Sequence, residues 1–364
     1  MARLGGALGL IAGIAALGAG GVAAGFELER RVVSKRIRQD DGDTEEDFFG
    51  LRSSGPDLVT PDGVVLHTEI DPADDEADAD PDAPSPTIVF VHGYALDLDC
   101  WHFQRKHFRG RYRLVLYDQR SHGRSTRSDP ELCRIGQLAA DLDQVLHEVV
   151  PPGPVVLVGH SMGGMTILRL AHTRPELFGP DAPGGRPVVG VGLTFTSSGE
   201  MTDYSPIRGL PGRTFNRIAP PLMAGLNRIP ELVERSRKAG TDLGYVVTKR
   251  MAFGPDPQGR IPVSFVEFVS EMLGGTSLEV VADFYPAFAE LDETDGLATL
   301  RRLPTAVVGG VDDRILPITH TDRIIESLPG ADVLRLEDCG HLGMIEHGPE
   351  VNAVLDRLVD RALG

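Results

Sequence analysis

The stretch Val155-Val156-Leu157-Val158-Gly159-His160-Ser161-Met162-Gly163-Gly164 sets the reading of the whole chain. A β-branched apolar run ends in Gly-His-Ser-Met-Gly. An amphipathic helical period follows at once and runs to about Thr173, where Arg174-Pro175 ends it. Strand, Gly-x-Ser-x-Gly, helix is the order needed for a tight, strained turn that presents a serine hydroxyl at the tip of a buried strand. Gly159 and Gly163 keep the flanks small enough for that turn. Beneath Ser161, the free N–H groups and dipole of the next helix favour developing negative charge. The bland alternative is a glycine-rich turn with an incidental serine, which would ask nothing of the other segments. They are therefore read for whether they serve Ser161.

From Thr87 onward, apolar strands and helical periods alternate, the pattern of a mostly parallel sheet with helices on both faces. Strands are predicted at Thr87–Val91, Arg113–Tyr117, Val155–Gly159, Val188–Phe195, Thr305–Gly310 and Asp332–Leu336. Helices are predicted near Ile135–Val149, Thr319–Leu328 and Glu350–Leu363. Residues 199–298 break the alternation, with helical patches at Pro221–Ala239, Ser264–Leu273 and Leu278–Glu290 and no clear strand. The fold class is therefore α/β, a mostly parallel, doubly wound sheet with a helical cap inserted. The core is expected at 57–198 and 299–364, the cap at 199–298. Leu58-Val59-Thr60 and Val64–Thr68, separated by Pro61-Asp62-Gly63, predict a hairpin ahead of this core.

The N-terminal region reads differently. Leu4–Phe26 is 23 residues without a charge, long enough to cross a bilayer with some tilt, although 8 are Gly and 7 Ala. Arg3 alone precedes it, while Arg30, Arg31, Lys35, Arg36 and Arg38 follow. The charge asymmetry points to a membrane anchor within 1–38 and a cytoplasmic catalytic domain. A secreted or outward-facing form is the alternative, though a cleaved signal peptide wants its positive charge before the apolar run. Residues 39–56 read as an acidic flexible stalk, and 71–86, with seven acids and no base, as a solvated loop. The formal charge of −17 is concentrated here: residues 27–85 hold 18 acidic and 6 basic side chains. With no basic face to neutralise phosphates, a nucleic-acid partner is not expected. Cys100, Cys133 and Cys339 form neither a disulfide framework nor a zinc pattern.

A serine hydroxyl is a weak nucleophile and needs a base, and the base needs something to orient it. His341, in Leu336-Glu337-Asp338-Cys339-Gly340-His341, follows a predicted strand and would reach the same sheet edge as Ser161. Val307-Val308-Gly309-Gly310-Val311-Asp312-Asp313 offers two adjacent carboxylates after another strand. An oxyanion site needs two backbone N–H groups. Met162, next to the serine, supplies one, and Tyr94, in Val91-His92-Gly93-Tyr94, is the candidate for the other. His92 is read as serving the fold of that loop. His67, His102, His107, His147, His172, His320 and His347 are scattered without ligand spacing. Trp101 reads equally well as a pocket wall or a helix anchor.

Across residues 57–362 these features resemble the α/β-hydrolase superfamily, in its capped, esterase-like branch. The resemblance rests on His92-Gly93, on Asp118-Gln119-Arg120-Ser121-His122-Gly123-Arg124-Ser125, and on Gly159-His160-Ser161-Met162-Gly163-Gly164. Gly310-Val311-Asp312-Asp313 with Pro317, and Cys339-Gly340-His341, complete it. Such families commonly have glycine where Ser121 stands, and an acid three residues after the glycine, which implies Asp313 over Asp312. Asp118 and Arg120 are then expected to brace a turn. The resemblance implies a Ser161–His341–Asp313 triad, an acyl-enzyme formed on Ser161, and hydrolysis of an ester-type bond with no metal or organic cofactor. The apolar cap and the expected anchor point to a small to medium hydrophobic substrate. C–C bond hydrolysis, thioester or amide hydrolysis and cofactor-free perhydrolysis share the triad. A non-catalytic ligand-binding homologue is the reading from another class. Epoxide and haloalkane hydrolysis are disfavoured, since they use an aspartate at the elbow.

Overall fold

The computed structural model describes residues 46–74, 86–201, 241–289 and 291–364. β1 (Leu58–Val59) and β2 (Val65–Leu66) pair antiparallel, Leu58 opposite Leu66, as the small hairpin the sequence predicts. β3 (Thr68–Asp71), β4 (Thr87–Val91), α1 (His102–Phe108), β5 (Arg113–Tyr117) and α2 (Ile135–Glu148) follow. Next come β6 (Val155–His160), α3 (Met162–Thr173) and β7 (Val188–Thr194). Among the described residues, four α-helices lie between β7 and β8: α4 (Thr241–Ala252), α5 (Val263–Gly275), α6 (Leu278–Ala289) and α7 (Thr294–Leu300). β8 (Thr305–Gly310), α8 (Ile318–Ser327), β9 (Asp332–Leu336), α9 (Gly343–Glu346) and α10 (Gly348–Leu363) complete the chain.

β3 to β9 form one sheet in the order β3-β5-β4-β6-β7-β8-β9. Only the β3–β5 pair is antiparallel, with Thr68 opposite Tyr117. The fold is thus the α/β-hydrolase type expected, with helices on both faces. The central strands β4, β6 and β8 are buried at every residue, so successive side chains feed two cores. Ile88, Phe90, Leu114, Leu116, Val156 and Val158 face one core, which Leu355 and Leu358 of α10 close. Val89, Val91, Val115, Leu157 and Val191 face the other, which α2 and α3 close through Leu142, Ile167 and Leu170. The strand order reverses between β4 and β6, and such a switch point opens a crevice at the strands' carboxyl ends. Ser161 follows β6 and His92 follows β4, so both stand at that crevice.

Three expectations need correcting or extending. The membrane-anchored, cytoplasm-facing placement is not upheld: among the described residues no helix is long and apolar enough to cross a membrane. The segment Leu4–Phe26 on which it rested lies outside the described residues, as does the helix expected at Pro221–Ala239. From Glu46 the expected stalk is docked rather than free. Phe48 stacks on Phe268 of α5 at 4.4 Å between ring centroids, and Phe49 meets the same ring edge-on at 4.8 Å. The Glu46 carboxylate takes Lys106 Nζ at 2.7 Å and lies 3.1 Å from His102 Nε2, both on α1. The loop expected from residue 71 starts too early, since Asp71 ends β3. Glu69 and Asp71 are buried there because Arg105, itself buried, donates to both at 2.6 and 2.7 Å.

Candidate active site

β6 is six buried residues, and the turn after it is strained as the sequence requires. Ser161 sits at φ 52°, ψ −116°, a conformation L-residues seldom adopt. It is held there by Ser161 N–H donating to Thr194 O at 3.0 Å and by Thr196 Oγ1 donating to Ser161 O at 2.6 Å. The glycines are explained by contact. A Cβ on Gly163 would collide with the carbonyl oxygen of Val91, and one on Gly159 with the backbone of Gly163. Met162 opens α3, so its N–H, in the first turn, has no acceptor within the helix.

His341 and Asp313 meet at the ends of β9 and β8. His341 Nδ1 lies 2.7 Å from Asp313 Oδ2, and both side chains are almost fully buried. Asp313 Oδ1 accepts the N–H groups of Ile315 and Leu316, each at 2.8 Å. Those two bonds fix the carboxylate, and its remaining oxygen points at the imidazole. Asp312 is partly exposed, and its N–H donates to Cys339 O at 3.1 Å, tying the two loops together. His341 N–H donates to Ala252 O at 2.8 Å. The link from His341 to the elbow is His160, the residue before Ser161. Its Nε2 lies 2.9 Å from His341 O, and the two rings are 4.8 Å apart. A carbonyl only accepts, so Nε2 carries the proton. Burial drives the His160 pKa far down and keeps the ring neutral.

The loop after β4 abuts the serine. A Cβ on Gly93 would crowd both His160 Nδ1 and Ser161 Cβ. His92 Nε2 accepts Gln119 N–H at 2.8 Å, which leaves Nδ1–H to donate to Gly93 O at 2.7 Å. Complete burial lowers its pKa to about 3, so His92 is a neutral brace of the loop. The Tyr94 hydroxyl donates to Val281 O of α6, and its ring lies 5.0 Å from Phe288. Tyr94 thus joins the loop to the helices between β7 and β8.

Asp118 and Arg120 brace turns. Asp118 accepts the N–H groups of Leu98 and Arg124, both at 2.8 Å. Arg120, fully buried, grips Asp141 with Nε at 2.6 Å and Nη2 at 2.7 Å. Ser121 has φ 66°, the left-handed region where glycine is easiest. Its hydroxyl offsets the strain by accepting Ser128 N–H at 2.9 Å. Trp101 anchors the start of α1: it is fully buried, 5.1 Å from Phe90. Cys100, Cys133 and Cys339 are buried free thiols. Two residues near the site had no reading in the sequence. His160 occupies the variable place of Gly-x-Ser-x-Gly, where no residue type is demanded. Glu346 reaches back from α9 to Gly340, and its only sequence signal is a place five residues after His341.

The sheet order and the strained serine turn define an α/β-hydrolase architecture. The chain belongs to the alpha/beta hydrolase family, whose model matches residues 88–354, and it is a hydrolase of that fold. It is 24% identical over 279 residues to the dihydrolipoyllysine-residue acetyltransferase component of the acetoin cleaving system of Cupriavidus necator. That match covers 74% of this chain but 63% of the relative, so the chain spans less than two thirds of that protein. A 2-hydroxy-6-oxononadienedioate/2-hydroxy-6-oxononatrienedioate hydrolase of a Pseudomonas species is 26% identical over 203 residues, covering 55% of this chain and 60% of that one. Among solved structures, a thermophilic esterase from Thermogutta terrifontis aligns with a TM-score of 0.61 at 20% identity, over 86% of this chain and 99% of that one.

Proposed function

We propose that this hydrolase cleaves an ester-type bond of a small to medium hydrophobic substrate, with Ser161 as nucleophile, His341 as general base and acid, and Asp313 as the orienting carboxylate. The observation that carries the reading is the 2.7 Å contact of His341 Nδ1 with Asp313 Oδ2, on a loop bonded through His160 to the serine turn. Asp313 selects the tautomer with Nδ1–H, so Nε2 is free to take the Ser161 proton and later return it to the leaving group. The alkoxide attacks the carbonyl, and the N–H groups of Tyr94 and Met162 stabilise the oxyanion. Water then releases the acyl group from Ser161.

The segment 199–298 is the proposed cap. Its helix α6 contributes Phe284 and Phe288 to an apolar cluster with Tyr94, Met162, Ile315 and Leu316, residues that neighbour the proposed nucleophile, oxyanion loop and acid. That lining supports an apolar acyl or alcohol group. A second reading, C–C bond hydrolysis by the same three residues, draws on the likeness to the dienedioate hydrolase. Turnover of p-nitrophenyl esters of increasing acyl length, with Ser161→Ala alongside, tests the choice. Ester turnover that vanishes in Ser161→Ala supports the first reading. No ester turnover, with Ser161 still labelled by a fluorophosphonate, favours the second. Ester turnover undiminished in Ser161→Ala overturns both.

A further inference from the structure

Glu346 closes α9, and its two carboxylate oxygens hold two different stretches of backbone. Oε1 accepts Gly340 N–H at 2.9 Å, and Oε2 accepts Gly254 N–H at 2.8 Å. The two stretches run so close that a Cβ on Gly340 would collide with Phe253, and one on Gly254 with Asp338 O. Beside this contact, His341 N–H is bonded to Ala252 O. Glu346 therefore joins the loop that carries His341 to the chain leaving α4. Glu346 is also among the residues that line a cavity of about 230 Å³.

We propose that Glu346 is a positioning residue for the hydrolytic reaction: ionised, it holds Gly340 and Gly254 together and so fixes the direction of the His341 imidazole, and protonation loosens that hold. The inference rests on His341 being the general base. A carboxylate presents charged acceptors to both N–H groups; protonation leaves one of its oxygens a weaker, hydroxyl acceptor, and an amide turns an N–H toward one of them. Burial, then the negative charge of Asp313, raises the Glu346 pKa to about 7 against the two N–H bonds that favour ionisation. The other groups facing it are the Cys339 thiol, 3.9 Å from Oε1, and, around the cavity, Asp256, Arg260, Glu337, Asp338 and His347. Lys249 binds Asp256 at 2.9 Å.

The test is Glu346→Gln in the full chain, with kcat and KM followed from pH 5 to 9 on the best p-nitrophenyl ester and Ser161→Ala as control. The expected result is a fall in kcat of about tenfold at pH 8 with KM changed less than about twofold, the pattern of a lost positioning contact. The acid limb of kcat is expected to be steeper in the wild type than in Glu346→Gln, which lacks the Glu346 proton. Wild-type kcat and an unchanged acid limb in that variant, with Ser161→Ala inactive, would overturn the inference and leave the triad standing. Lowered kcat with an unaltered limb would equally overturn it. Turnover surviving in Ser161→Ala would instead remove the reading beneath. If Glu346→Gln does not fold, Glu346→Asp, too short to reach both N–H groups, should show the same loss of kcat.

Discussion

Asp312 and Asp313 are neighbours with the same chemistry and opposite surroundings. Asp313 spends one oxygen on two backbone N–H groups and offers the other to His341, while Asp312 stands partly exposed and joins the β9 loop through its backbone. Asp313→Asn should lower kcat by about 10³–10⁴, because an amide facing Nδ1 favours the wrong imidazole tautomer. Asp312→Asn should stay within a few-fold of wild type. Steady-state kinetics on one ester decides, and an inactive Asp312→Asn beside an active Asp313→Asn would move the acid to Asp312. At this scale the sequence is legible where the backbone demands a residue type. Gly163 is readable because no Cβ fits under the Val91 carbonyl, and Ser161 because the turn has one place for a hydroxyl. The choice between Asp312 and Asp313 came only from resemblance to a family. His160 and Glu346 left no such mark: they act on backbone 181 and 92 residues away.

Elements explain what periodicity could and could not reach. β4, β5 and β8 fall on the predicted residues because continuous apolar runs report burial on both faces, while β9, at the sheet edge and only partly buried, is found where Val333, Leu334 and Leu336 give it an apolar strand. β3 reads Thr68-Glu69-Ile70-Asp71, which looks exposed until Arg105 arrives from α1 to neutralise both acids. The same holds for residues 46–54, whose acids suggested solvent while Phe48 and Phe49 decide the outcome by packing on α5. Phe48 also meets Phe103 and Phe265 edge-on, at 6.0 and 5.8 Å, so it ties α1 to α5. Phe48→Ala should cost about 2 kcal/mol of unfolding free energy, below a fully buried Phe because Phe48 is partly exposed. Urea denaturation measures it. An unchanged midpoint would show that the docked segment contributes nothing to holding α5 on the core.

Over the whole molecule, two sets of carboxylates pull stability in opposite directions with pH. The Arg120 hydrogen bond, opposed by partial burial, lowers the Asp62 pKa to about 2. Burial opposes ionisation of Glu69 and Asp71, yet hydrogen bonds outweigh it: His67 and Arg105 for Glu69, Arg105 and Ser53 for Asp71. Unfolded, such groups titrate near about 4, so their contribution is complete above that pH and lost as pH falls through the lower folded values. Burial first, with neighbouring acids, raises Asp97, Glu293 and Glu346 to about 7. The folded state then binds their protons more tightly than the unfolded chain does. That contribution is complete below about pH 4 and declines until pH passes 7. The net charge of −17 adds self-repulsion in the same direction. The melting temperature should therefore rise from pH 3 to a maximum near about pH 4–5 and fall toward pH 7, then level. Glu346→Gln removes one buried ionisation, so above pH 7 it should melt no lower than wild type and shed part of the decline, even while its turnover is impaired. A wild-type melting temperature that climbs steadily between pH 5 and 7 would show that the raised carboxylates do not govern stability there. A Glu346→Gln variant that melts well below wild type at pH 8 would show that the two N–H bonds hold the fold itself rather than only the aim of His341.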